Sequence, residues 1–114
     1  MFILQQHPTW SWPVVVPVPQ PDGGYAEQRF QAQFRLIETP RREELAKTQE
    51  GTDQLLRESI LSTEGLVDEA GAPIPHSPEL VEALLRNPWI RLGLVRSYVQ
   101  AIEGVPIAPA AVGN

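Results

Sequence analysis

Residues 65 to 98 read GLVDEAGAPIPHSPELVEALLRNPWIRLGLVRSY, and this stretch decides how the C-terminal part of the chain folds. Two helix starts lie within it, because Ser77 and Asn87 are each followed by a proline, Pro78 and Pro88. Serine and asparagine favour the N-cap position, and proline is tolerated at the first helical position, where its missing N–H costs nothing. The stretch therefore predicts an acidic turn followed by two capped helices, and it contains no chemically reactive set of side chains.

The second of these helices is predicted to run from Pro88 to Glu103 and to stop at Gly104, a residue type typical of helix C-termini. Its apolar residues spread over about 200° of the helical wheel, whereas a helix that covers a single core needs about 100°. We interpret this width as burial against two surfaces, the protein's own core and a neighbouring subunit or partner. The alternative is a central helix that its own chain surrounds.

Seven residues of this helix are predicted to bind a partner. Trp89 is a large aromatic residue near the helix start, a type enriched at interface centres although it is found more often in cores. Arg91 lies within the apolar arc, where it either extends its charged end to solvent or forms a buried pair with Asp68 or Glu69. The full set is Trp89, Arg91, Leu92, Val95, Tyr98, Val99 and Ile102.

The N-terminal part of the chain has the pattern of a β-hairpin over residues 12–37. Residues 12–19, WPVVVPVP, place Trp12 and three valines on one side and three prolines with Val15 on the other. Valine favours a strand, repeated proline confines it to a sheet edge, and a glycine-containing turn follows. Residues 29–37 alternate apolar and polar side chains, which predicts a second strand that is buried on one face. The apolar residues on that face are Phe30, Ala32, Phe34 and Leu36.

The region from 39 to 104 is predicted to be helical. A polar helix begins at Thr39, Gly51 interrupts it, and Thr52 caps a second helix that continues to Ser62. An isolated hairpin is marginal in water and needs other elements to cover its apolar face. We therefore predict an α+β fold in which an N-terminal β-hairpin packs against a small bundle of three to four short helices.

The chain of 114 residues has the size of one domain. Residues 1–11 have no regular pattern and are predicted to form a flexible arm, and the single α+β domain is predicted to cover 12–104. Residues 105–114, VPIAPAAVGN, contain two prolines and no charged side chain, which predicts a disordered tail.

Composition argues against several classes of partner. A formal net charge of −5 and a single lysine are unfavourable for a nucleic-acid-binding protein, which needs clustered Lys and Arg. No apolar run approaches the roughly 18 residues of a membrane span, and the N-terminus lacks the basic region of a signal peptide, so we expect a cytoplasmic protein. The absence of cysteine excludes disulfides and thiolate chemistry.

No set of side chains in the sequence predicts catalysis, a cofactor or a metal site. His7 and His76 have no second metal ligand at a typical spacing. The acidic turn lacks the alternating oxygen ligands of a calcium loop, and no serine lies in a Gly-x-Ser-x-Gly motif. We therefore expect a non-enzymatic protein that binds other proteins, and a small enzyme or regulator with an unfamiliar site stays as an alternative.

The order of segments resembles the tail assembly chaperones of long-tailed bacteriophages, which also occur in prophages. The similarity covers residues 25 to 103 and consists of the strand RFQAQFRLI, a polar helix, a second helix that ends in the block GLVDEAGAPIPHSPE, the helix ELVEALL and the closing helix NPWIRLGLVRSYVQAI. The closing helix carries an aromatic residue near its end, here Tyr98. Members often have a tryptophan just before the turn, where this chain has Glu64-Gly65-Leu66.

This resemblance implies a non-catalytic protein that acts in the cytoplasm of a bacterial host cell. It would keep the tape-measure protein soluble and recruit tail-tube proteins around it, and a homo-oligomer is compatible with the sequence. The last helix and the proline-rich first strand would then contact helical segments of the partner, by helix-in-groove packing or by strand addition. The alternative is a structural tail-completion or head–tail connector subunit that is retained in the virion.

Overall fold

A computed structural model describes residues 1–104 and confirms the predicted α+β architecture. Within these residues, three strands form one antiparallel sheet in the order β1-β2-β3, and four helices accompany it. The elements are β1 (Thr9–Pro19), β2 (Tyr25–Arg35), α1 (Thr39–Leu45), α2 (Gln49–Ser59), β3 (Ile60–Glu64), α3 (Pro78–Arg86) and α4 (Pro88–Glu103). The tail predicted at 105–114 lies outside the described residues.

Strands β1 and β2 form the predicted hairpin and pair over their full lengths. Beyond the two ends of this pairing, the Gln20 N–H donates to the Gly24 carbonyl at 2.8 Å and the Leu36 N–H donates to the Pro8 carbonyl at 3.2 Å. Hydrogen-bonded and non-hydrogen-bonded pairs alternate along antiparallel strands, so the even-numbered residues of the two strands bond to each other. The odd-numbered residues direct their backbone groups away from the hairpin partner.

The prolines of β1 reduce the number of free N–H groups on its outer edge, the one that faces away from β2. Pro13, Pro17 and Pro19 are odd-numbered, so their nitrogen atoms face away from β2 and no ladder bond is lost. Helix α4 lies against the same edge, because a Cβ atom on Gly93 would be only 3.0 Å from the Val15 carbonyl oxygen. β1 is therefore an edge strand, as the sequence predicts, but its outer edge offers few N–H donors for strand addition.

The even-numbered side chains of the hairpin form the floor of one hydrophobic core. Val14 and Phe34 are fully buried there, and α4 contributes Leu94 and Tyr98. The opposite face of β2 is open to solvent. The other buried apolar residues, several of which come from α2 and α3, are Val16, Phe30, Ala32, Ile37, Leu55, Leu56, Ile60, Val81, Leu84 and Leu85.

Both ends of the hairpin differ from the sequence prediction. The predicted arm at 1–11 is too long, because β1 begins at Thr9 and residues 9–11 belong to the sheet. Leu36 was placed on the buried face, but it is 38% exposed because β2 ends one residue earlier. The chain leaves the strand geometry at that point, and Ile37 fills the core position instead.

Side chains cap the starts of α2, α3 and α4, whereas the N-cap of α1, Glu38, makes no side-chain cap hydrogen bond. The cap of α2 lies four residues before its predicted place. The N-cap of α2 is Thr48 rather than Thr52, and its hydroxyl accepts a hydrogen bond from the Gly51 N–H at 2.9 Å. The glycine therefore lies in the first turn of the helix and does not interrupt it. The predicted cap of α3 is confirmed, since the Ser77 hydroxyl accepts from the Leu80 N–H at 3.0 Å.

The largest difference from the sequence prediction is β3, which lies in the region 39–104 that was predicted to be helical. Helix α2 ends at Ser59, and Ile60 adopts extended backbone angles and pairs with Phe34. An isolated run of apolar residues fits a helix or a strand equally well. The strand is favoured here because it bonds to backbone groups of β2 that would otherwise be unpaired.

Candidate interaction surface

Helix α4 is capped at both ends. The Asn87 side chain accepts hydrogen bonds from the N–H groups of Trp89 and Ile90 at 3.1 and 3.2 Å, which confirms the predicted N-cap. Gly104 has a φ of 68°, and its N–H donates to the Gln100 carbonyl at 2.8 Å, which confirms the predicted stop. The helix therefore has its full length without any help from a partner.

Tyr98 fastens α4 to the end of β2 and is only 2% exposed. Its hydroxyl accepts a hydrogen bond from the Ile37 N–H and donates one to the Arg35 carbonyl, both at 3.0 Å. Its ring lies 5.3 Å from that of Phe34 and 6.0 Å from that of Trp10, measured between ring centroids. Burial raises the pKa of the hydroxyl, so it stays neutral and remains a donor.

Arg91 joins α4 to α2. Its Nε atom lies 2.5 Å from Oδ1 of Asp53, and its Nη2 atom donates to the Gln49 carbonyl at 3.1 Å. The sequence-based partners, Asp68 and Glu69, are wrong, because the acidic turn is not the element that reaches this arginine. The two paired side chains are 19% and 26% exposed, so the pair is partly shielded from water. Arg91 therefore positions α4 on the domain.

Further ion pairs connect α2 to the helices before and after it. The Arg41 guanidinium of α1 bonds to both carboxylate oxygens of Glu58, and Gln54 donates to the same carboxylate at 3.0 Å. Arg57 bonds to the carboxylate of Glu82 on α3 at 2.6 and 3.0 Å. The hydrogen bonds from Arg41 and Gln54 lower the pKa of Glu58 to about 2.

The Glu58 carboxylate is expected to make stability depend on acidic pH. Its folded pKa of about 2 lies below the ordinary value of 4.5, so its stabilising effect is present above pH 4.5 and is lost as the pH falls through 2. We expect Glu58→Gln to lower the free energy of unfolding by about 0.2–1 kcal/mol at neutral pH, and by progressively less as the pH falls from 4.5 through 2. Urea denaturation across this range measures the difference. Glu43→Gln, which removes a carboxylate without an ion pair in residues 1–104, is the control, and a loss independent of pH would contradict the prediction.

An apolar stripe remains exposed on α4. Trp89, Leu92 and Val99 are 38%, 45% and 43% exposed, and the exposed Arg96 lies between the last two. These four residues, which we call the α4 stripe, have spacings of three, four and three. That alternation places them on one face of the helix, as the a and d positions of a coiled coil do. Arg96 has no ion-pair partner within the described part of the chain.

The structure divides the seven residues that were predicted to bind a partner. Three of them lie at the surface together and belong to the α4 stripe. The four that pack against the core or tie α4 to the domain are Arg91, Val95, Tyr98 and Ile102. The wide apolar arc therefore consists of a core-facing part and an exposed margin. Sequence reasoning did not single out Arg96, although its spacing from its apolar neighbours was the available signal.

The described residues contain no arrangement of side chains that fits a metal ion. No group of three or more His, Asp or Glu side chains within residues 1–104 is placed to hold one. His76 is occupied in a local contact, since its Nδ1 atom lies 3.0 Å from the Thr63 hydroxyl oxygen on β3. This contact holds the loop before α3 against the sheet.

Two further observations concern the chain as a whole. None of the helices in the described region has both the length and the apolar character that crossing a bilayer requires. Comparison of the sequence and structure with protein-family models, curated proteins and solved structures finds no match to this chain.

Proposed function

We propose that the protein is a non-catalytic bacteriophage tail assembly chaperone, which binds helical segments of the tape-measure protein and helps to recruit tail-tube subunits around it. The observation that supports this most directly is the α4 stripe. Its three apolar residues are exposed although the inner face of the same helix already fills the core. A surface of this kind is suited to a protein partner and not to a small substrate.

The spacing of the α4 stripe favours a helical partner. Side chains at alternating intervals of three and four residues form a seam along which a second helix packs. Trp89 and Arg96 belong to the residue types that most often dominate interface energies. The single positive charge in the stripe favours a partner helix with an acidic residue opposite Arg96.

The order of segments supports the choice of partner class. The segments that resemble the tail assembly chaperones span 25 to 103 and include β2 and all four helices. The proposal rests on this resemblance for the identity of the partner and on the α4 stripe for the mode of binding. It assigns the protein to the bacterial cytoplasm, where phage tails are assembled.

The test is binding to the tape-measure protein encoded by the same phage. We expect Leu92→Asp or Val99→Asp to raise the Kd at least about tenfold, because each replaces an apolar contact of the seam by a carboxylate that binding would remove from water. Co-purification after co-expression, followed by titration calorimetry with a helical tape-measure segment, provides the measurement. Circular dichroism establishes that each variant is folded.

Leu61→Asp is the matched control for these variants. Leu61 is 42% exposed, which is close to the exposure of Leu92, but it lies on β3 and not on α4. The control should bind as the wild type does. Unchanged binding by a folded Leu92→Asp variant would overturn the mode of binding that we propose.

A structural subunit of the phage tail or head–tail connector is the competing function. A chaperone leaves before the tail is complete, whereas a connector stays in the particle. Mass spectrometry of purified particles is therefore expected to find no copies of this protein. Its presence at a fixed number of copies per virion would establish the connector function instead.

A further inference from the structure

Strand β2 has an open edge over half of its length. β3 pairs only with residues 31–34, and Gly65, which has a φ of 90° and lies beside Phe30, ends this pairing. The odd-numbered residues of β2 direct their backbone groups to this side. The N–H and C=O groups of Glu27 and Arg29 therefore lack a strand partner within residues 1–104. Unpaired backbone groups on a sheet edge are a template for an added strand.

An apolar cavity of about 130 Å³ lies beside this open edge. Its walls include Val16, Val18 and Phe30 of the hairpin, Leu66 of the loop after β3, and Ile90 of α4. The volume is close to that of an engineered cavity of about 150 Å³ that accepts benzene, so one apolar side chain fits. A strand added to β2 would direct every second side chain to this face of the sheet.

The N-terminal arm of the chain carries exposed apolar side chains that fit such a cavity. Met1, Phe2, Ile3 and Leu4 are between 74% and 117% exposed, and the next two residues are uncharged glutamines. Four consecutive exposed apolar residues are unfavourable in water unless another surface covers them. Their apolar side chains match an apolar cavity beside a row of free backbone groups.

Residues 1–6 cannot all lie along this edge in their own chain. An extended chain spans at most about 3.6 Å per residue, so Gln6 lies within about 11 Å of Thr9 and Leu4 within about 18 Å. Arg29 pairs with Val15, six residues along β1 from Thr9, which is about 20 Å along the strand. The added strand would also lie two strand spacings from β1, about 10 Å to the side. The required distance of about 22 Å exceeds the reach of residues 4–6, and β3 already occupies the edge beside residues 31–34. A strand made of residues 1–6 must therefore come from another copy.

We propose that residues 1–6 of one copy bind as a strand to the open edge of β2 in a second copy, with one apolar side chain of the arm in the cavity. The backbone groups of Glu27 and Arg29 supply the hydrogen bonds, and the cavity selects an apolar residue. This exchange joins copies of the chain into a homo-oligomer and leaves the α4 stripe free. It is therefore independent of the function proposed above.

The first test compares the oligomeric state of arm variants by analytical ultracentrifugation of the full chain. The wild type is expected to sediment as an oligomer, and the double variant Phe2→Asp and Ile3→Asp as a monomer, because aspartate is costly in an apolar cavity. The double variant Gln5→Asp and Gln6→Asp adds the same charge to the same arm and should remain oligomeric. A wild-type chain that is monomeric at millimolar concentration overturns the proposal.

The second test locates the contact by disulfide cross-linking, which is unambiguous because the natural chain has no cysteine. Ile3→Cys mixed with Arg29→Cys should yield a mixed disulfide dimer under mild oxidation. Ile3→Cys mixed with Lys47→Cys should not, since Lys47 lies outside the sheet. An intramolecular disulfide in a monomeric Ile3→Cys and Arg29→Cys double variant would show that the arm binds the edge of its own chain and would overturn the proposal.

Direct pairing of β2 strands from two copies would also overturn the proposal that the arm is exchanged. Two β2 edges could bind each other directly, because an antiparallel arrangement would place Glu27 of each copy opposite Arg29 of the other. Such an oligomer would survive the aspartate substitutions in the arm. Its dimers would also be cross-linked by Gln28→Cys alone, since Gln28 would face its own copy across the two-fold axis.

Discussion

Replacing Tyr98 with alanine is expected to lower the free energy of unfolding by about 3–5 kcal/mol, the range for removing a buried aromatic side chain. The side chain is 2% exposed and packs against two other aromatic rings. The substitution also leaves the Ile37 N–H without its acceptor in a buried place. Urea denaturation monitored by circular dichroism measures the change.

Tyr98→Phe separates the contribution of ring packing from that of the hydroxyl's hydrogen bonds. This variant keeps the ring and removes only the hydroxyl, so we expect a loss of about 1–3 kcal/mol from the unpaired Ile37 N–H. A loss as large as that of the alanine variant would mean that the hydroxyl dominates. A loss near zero would mean that water takes its place, and Tyr98 would then fasten α4 through packing alone.

Replacing Leu94 with aspartate is expected to unfold the domain, whereas the same substitution at Leu92 should leave it folded. Leu94 is 0% exposed, and a carboxylate in that position would have to lose its water without gaining a partner. We expect a loss of more than about 4 kcal/mol, a large share of the 5–15 kcal/mol that holds a typical domain together.

Leu92 lies two residues earlier on the same helix and is 45% exposed. Substitution of such a surface residue usually changes stability by no more than about 0.5 kcal/mol. Thermal and urea denaturation of both variants therefore test which side of α4 faces the core. Equal losses at Leu92 and Leu94 would show that the α4 stripe is buried, and the proposed binding surface would no longer stand.

The sequence predicts those parts of the fold that local chemistry determines. The caps at Ser77 and Asn87 are correct because each depends on one side chain and the amides two or three residues after it. The alternation of side chains along β1 and β2 likewise predicts the two strands directly. Both signals depend only on residues that are close together in the sequence.

The features that the sequence does not predict depend on contacts between distant residues. β3 is a strand because Ile60 lies beside Phe34, and Arg91 pairs with Asp53 because α2 packs on α4. Helical periodicity shows that α4 has a wide apolar arc, but it does not show which part faces inward. That choice follows from the close approach of Gly93 to the backbone of β1, which is a property of the assembled structure.

The two capped ends of α4 have a kinetic consequence for binding. A segment that folds only on contact must lose about 1–2 kcal/mol of conformational freedom per residue at that moment. In the function that we propose, α4 is complete before a partner helix arrives, so binding would not include the cost of forming α4. The helix would also keep its shape after the partner leaves. A preformed surface of this kind suits repeated capture and release.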